Sequence, residues 1–412
     1  VSLAVSAEHP FYSMYERYVD DAAFLWLLRQ LAQKQPHYDV PALVELEQRL
    51  NRQIEAILSD AELAWLACEA LLEHRDAGEF FVAAVVALRT AGEERFDALI
   101  ELAGGDETLE FALASACAWL HQALAKPVVE RLFKRPEAGF RRIALHVCRL
   151  KSWSPLAALN AVLTDADARA DDKLYCLALR CVGEFKAQAL KALLLVALQD
   201  ERNAVQFEAI AASILLGQYS LAEKLRPWVF AEQYHERAVN LAFCSLPAEL
   251  ARQWVAELAK MDNCQSALIQ AIACLGDPQA VPWLLAQMRD ALWSRRSGLV
   301  FSSITGIDLE QHELVNDIPD LDDSFGDEHQ PLQFDDDESL PFPDADKVAA
   351  LWQKYGRNFV SGKRYMVGRQ LSSESLQQLW QQGPAYLRAR AALLLALQNP
   401  SQPLLNACAP IA

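Results

Sequence analysis

No uninterrupted apolar run in the 412-residue chain reaches the roughly 18 residues that mark a membrane-spanning helix. Nothing is therefore expected to cross a bilayer. Glycine (15) and proline (18) are both modest, which argues against a turn-rich all-β protein. The opening VSLAVSAEHPFYSMYERYVDD has no basic stretch ahead of its short apolar one, so a secretory signal is not expected. The nine cysteines are an odd number and form no CxxC; Cys176 and Cys181, five apart, are poorly spaced for a metal pair. They read as free thiols buried in a reducing cytosol. HExxH, GxSxG and a phosphate-binding loop are all missing. The eight histidines are scattered, and His146 and Cys148 point to different sides of one helix. Spacing places no acid, base or nucleophile, so neither an enzyme nor a cofactor is expected.

What remains is 52% apolar, too much for a disordered chain. An alanine-rich helix, a short turn and a second amphipathic helix recur. The turns fall at Gly92, His121, Lys151, Gly183, Gly217, Leu246 and Gly276, at intervals of 29, 30, 32, 34, 29 and 30. A period near 30 with two helices per unit predicts a solenoid of seven or eight pairs, in which no unit buries its own apolar face. Gly183, Gly217 and Gly276 fit left-handed helix ends. SDAE (59–62) and SLAE (220–223) read as capping boxes. Pro247, Pro278 and Pro384 suit first turns. Phe24, Leu27, Leu28 and Leu31 share one face of an early helix, and SGLVFSSITGIDL is the stretch with most extended character. The expected layout is a helical capping region at 1–80 and HEAT-like repeats at 81–300. An acidic irregular insertion at 301–346 and a closing helical region at 347–412 follow.

The net charge of −17 is uneven. Residues 308–346 hold fifteen acids and no Lys or Arg, whereas 347–370 hold six bases (Lys347, Lys354, Arg357, Lys363, Arg364, Arg369) and no acids. Full pairing between the two still leaves −9. Such a strip steers a cationic partner. Candidate partner-binding residues are Asp320, Asp322, Asp323, Asp335, Asp336, Asp337 and Glu338. Lys363, Arg364 and Tyr365 join them from GKRYMVGR, read as a loop that contacts the acidic segment. Trp352, Tyr355 and Phe359 recur at helical spacing and read as core. DLDDSFGDEH fails as a calcium loop: counting from Asp320, the sixth position is Phe325, and Gly326 comes one residue late. The basic patch FKRPEAGFRR with CRLK is short in an acidic chain, so no nucleic-acid partner is expected.

DDAAFLWLLRQ, LGDPQAVPWLLAQM, FSSITGIDL, LPFPDADKVAALW and GKRYMVGR together resemble a proteobacterial family of HEAT-like repeat proteins encoded near type VI secretion genes. The resemblance spans most of the chain and is strongest over about 271–370. It implies a bacterial cytoplasmic protein, an adaptor, chaperone or immunity factor, whose partner is a secreted effector or spike-complex protein. The sequence thus predicts an all-α, HEAT-like solenoid that binds protein. The alternative is an enzyme or metal-binding protein that uses 308–346.

Overall fold

Alanine-rich helices with no polar face must be covered on several sides, and the structure covers them by stacking. The computed structural model describes residues 6–90, 92–233, 235–316, 337 and 339–411. The fold is an all-α helical-repeat solenoid; among the described residues the β-structure is one two-residue hairpin and two isolated bridges. Two compact units divide the chain: Val1–Gln218 with Gln381–Ala392 and Asn399–Ala412, and Tyr219–Trp380 with Leu393–Gln398. No helix among the described residues is long and apolar enough to cross a membrane.

In the first unit, α1 (Tyr12–Ala32), α2 (Val40–Ile57) and α3 (Ala61–Leu71) precede the regular pairs. These are α4 (Ala77–Arg89) with α5 (Glu93–Ala103), α6 (Glu107–Trp119) with α7 (Gln122–Lys134), and α8 (Ala138–Lys151) with α9 (Leu156–Thr164) and the short α10 (Ala166–Ala170). α11 (Asp172–Glu184) with α12 (Lys191–Ala197), then α13 (Asn203–Leu215), complete them. The first helices stack in the order α1, α4, α6, α8, α11, α13. They are buried almost all round: Phe80 through Ala87 of α4 form one continuous buried run. Second helices bury one stripe only, such as Ala125, Val129 and Leu132 of α7.

The second unit continues with α14 (Arg226–Val229), α15 (Glu236–Ser245) with α16 (Ala248–Leu258), and α17 (Gln265–Leu275) with α18 (Val281–Gln287). α19 (Ser294–Thr305), α20 (Ala345–Tyr355), β1 (Tyr365–Met366), β2 (Arg369–Gln370) and α21 (Ser373–Gln382) follow, before α22 (Ala385–Gln398). The chain divides between the units within both of these last helices.

Several local expectations are corrected. Gly217 (φ 97°) and Gly276 (φ 65°) are left-handed as expected, but Gly183 lies inside α11. Its hydrogen side chain is needed for packing, because a Cβ there would stand 2.5 Å from the Ala212 Cα on α13. Lys186 (φ 54°) takes the left-handed position instead. In SDAE, Asp60 rather than Ser59 caps α3 and accepts from the amides of Glu62 and Leu63. A carboxylate at that place also meets the positive end of the helix dipole. SLAE lies within a 3-10 turn, Tyr219–Leu225. On α1, Phe24 and Leu31 are exposed; the buried face is Val19, Ala22, Ala23, Trp26 and Arg29. SGLVFSS is helix α19, closed at Gly306 (φ 72°), so regular structure runs past residue 300. All nine cysteines are free, seven of them buried.

Candidate interaction surfaces

The last carbonyls of a helix lack partners inside it and carry partial negative charge. In the second unit one irregular stretch satisfies three such ends in turn. Arg364 donates to the carbonyls of Cys244 (3.2 Å) and Leu246 (2.9 Å) at the end of α15. The Tyr365 amide donates to Gly276 after α17 (2.8 Å), and the amides of Val367 and Gly368 donate to Ser303 (2.7 Å) and Ile304 (3.0 Å) in α19. A Cβ on Gly276 would stand 2.4 Å from the Tyr365 carbonyl oxygen. Asp277 anchors the approach, accepting from Gly362 N (3.1 Å) and Arg252 Nε (2.9 Å). Aromatic rings run from Phe301 through Trp352 and Phe359 to Tyr365, with centroids 6.0, 5.3 and 5.0 Å apart. Tyr355 is exposed.

Of the ten residues selected from the sequence, Asp320, Asp322, Asp323, Asp335, Asp336 and Glu338 lie outside the described residues. Asp337 receives Arg296 Nε at 2.6 Å and, on its carbonyl, Arg295 Nη1 at 2.8 Å. Lys363 is exposed; Arg364 and Tyr365 are drawn onto the helix ends. Among the described residues, the ion pair joining the basic stretch to the acidic one is Lys347–Asp344, at 3.4 Å. Asp346 pairs with Arg289, ahead of α19. No described group of three or more His, Cys, Asp or Glu is arranged to hold a metal ion.

In the first unit residues 399–411, without helix or strand, run across the helix ends. The Leu404 amide donates to the Glu184 carbonyl at the end of α11 (2.8 Å). Arg29 Nη1 donates to the Cys408 carbonyl (2.8 Å) and Nη2 to that of Ala409 (2.6 Å). The Ile411 amide donates to Glu47, 2.8 Å from its Oε2. Arg29 and Glu47 are themselves a fully buried ion pair, at 2.8 Å. Cys408 packs on the main core, and Ile411 on Ala32, Leu43, Leu46 and Ala385. Beside Pro410 opens a cleft of about 380 Å³, lined by Asn51, Trp119, Leu120 and Lys151 among others. Trp119 Nε1 donates to Asn51 (2.7 Å), and Lys151 to the Leu120 carbonyl at the end of α6 (2.9 Å).

A second ionic cluster involves Glu184. Its carboxylate holds Arg149 (2.6 Å) and Arg180 (2.7 Å). Burial pushes the Glu184 carboxyl up, but the two guanidinium groups override it and hold it well below the usual range. Burial, then Arg149 and Arg180, drive the neighbouring His146 down to about 3. Its Nδ1, 3.3 Å from Arg149 Nη1, accepts. Sequence reasoning missed Arg29, Glu47, Arg149 and Glu184. The available signal was a charge on the apolar stripe of an otherwise alanine- and leucine-rich helix.

Comparison with protein-family models, curated proteins and solved structures finds no match to this chain.

Proposed function

We propose that this chain is a protein-binding helical-repeat scaffold, and that its acidic stretch attracts a basic partner. The observation that carries the reading is where the neighbouring bases go. Arg364 is turned onto the end of α15, Arg369 is bonded to Gln378, and Lys363 faces solvent. Among the described residues, only Lys347 of that basic stretch pairs with an acid of 308–346. The acidic strip thus keeps most of its charge for something outside the chain. The family resemblance in the sequence makes the partner a secreted effector or spike-complex protein of type VI secretion. The chain would then act in a bacterial cytoplasm as an adaptor, chaperone or immunity protein.

The test is co-purification from a host with such a secretion system, at about 50 mM and 500 mM salt. The intact chain is compared with one in which the eight acids of 317–336 are replaced by Asn or Gln. A partner identified by mass spectrometry should be lost at high salt and lost again with the substituted chain, because screening and charge removal act on the same attraction. Equal capture in all conditions would refute the electrostatic role.

A further inference from the structure

Residues 399–411 make an unusual covering for a helical stack. The sequence NPSQPLLNACAPI contains no charged side chain. Each residue from 404 to 411 is half-buried, so the segment lies on the first unit without being absorbed into its core. The anchors described above grip its backbone: Arg29 holds carbonyls 408 and 409, Glu47 holds amide 411, and the Glu184 carbonyl holds amide 404. None of these contacts requires a particular side chain. The ions beneath it also remain paired without it, Arg29 with Glu47 and Glu184 with Arg149 and Arg180. Lifting the segment away therefore strands no buried charge, the event that makes most breaks in an ionic interior costly. The cleft beside Pro410 leaves room that a larger side chain would fill.

We propose that this surface is a docking groove for an uncharged segment of a partner polypeptide, which displaces residues 399–411 and fills the cleft with a side chain larger than proline. The proposal rests on the reading of the chain as a protein-binding scaffold and names a second contact for it. Residues 399–411 act as an intramolecular competitor. A tethered occupant is present at an effective concentration in the millimolar range, which weakens the apparent affinity of any strand arriving from outside. Recognition of the backbone sets the path, and the cleft, with Trp119 and Leu150 beside Asn51 and Lys151, selects a side chain with an apolar body and a polar tip.

The probe is a fluorescent synthetic peptide with the sequence of residues 399–411, in reducing buffer, read by anisotropy. A second peptide carries Pro410→Tyr, and a third carries Ile411→Asp. The full-length chain is compared with its Cys408→Asp/Ile411→Asp variant, which weakens the tethered occupant and leaves every groove residue in place. Support is at least a tenfold tighter Kd for the variant, tighter binding again by the Pro410→Tyr peptide, and loss of binding by the Ile411→Asp peptide. Equal binding by both chains overturns the proposal. So does loss of the variant's helical circular dichroism, which would make the segment part of the core. A variant that forms concentration-dependent dimers, with the segment exchanged between copies, replaces the partner with a second copy and overturns it as well. Hydrogen exchange on the unsubstituted chain adds an independent reading: amides 404 and 411 should exchange faster than those of α8, and equal protection counts against displacement. Peptide binding here should be insensitive to salt, since the segment is uncharged. Failure of this test with salt-sensitive partner capture intact removes the groove alone.

Discussion

Burial and two adjacent guanidinium groups hold the His146 imidazole neutral, and this has a direct consequence for stability. Unfolded, the same ring has a pKa of about 6.5. Between that value and about 3 the unfolded chain binds a proton that the folded chain does not. The stabilising difference is therefore complete above the unfolded value and is lost as pH falls toward the folded one, by up to ~1.4 kcal/mol per unit. Urea unfolding at pH 6.5 and 4.5 should show roughly 2 kcal/mol less loss for His146→Gln than for the unsubstituted chain. An equal loss would mean that the ring is protonated in the fold. The residue type was visible in the sequence, but its role was not. His146 was read as one of several scattered histidines, because its partner Arg149 gains force only through Glu184, one repeat further on.

Helix edges are where sequence reasoning divided most clearly into success and failure. The 30-residue period was legible because each first helix stacks on its neighbours, which repeats the same demand for small apolar residues. Glycine was ambiguous: the sequence could not separate a helix end from a close crossing. Gly217 and Gly276 supply left-handed turns, whereas Gly183 lets α11 approach α13. Gly183→Ala should therefore cost about 1–3 kcal/mol through overpacking, against any gain in helix propensity. Gly139, near the start of α8, meets nothing closer than 3.6 Å with an added Cβ. Gly139→Ala should be neutral or stabilise by up to ~1 kcal/mol. Urea midpoints for the two variants decide it; similar shifts would deny that the α11–α13 crossing is tight. The buried face of α1 was misread for a related reason. Four large apolar residues outweighed smaller Val19, Ala22 and Ala23, although the small ones are what a close stack selects.

For the chain taken together, local patterns carried the fold class, and long-range partners carried most of what they left out. Nothing local in Arg29 announces a carbonyl 379 residues away, and neither Glu47 nor Ile411 lies in a motif. The same nearest-neighbour logic that made the repeats readable predicts how damage spreads. Phe243 is fully buried in α15, its ring edge-on to Trp254 at 6.3 Å. Phe243→Ala removes that packing at a cost of about 3–5 kcal/mol. In a stack whose helices depend on adjacent helices, the loss stays near its source. Hydrogen exchange should show the amides of α15, α16 and α17 losing protection, while those of α4, α6 and α8 keep theirs. Uniform loss across all six helices would show that the chain opens as one cooperative block. The solenoid's stability would then not be a sum of neighbouring contacts, and the inference from a 30-residue period to independent stacking would fail with it.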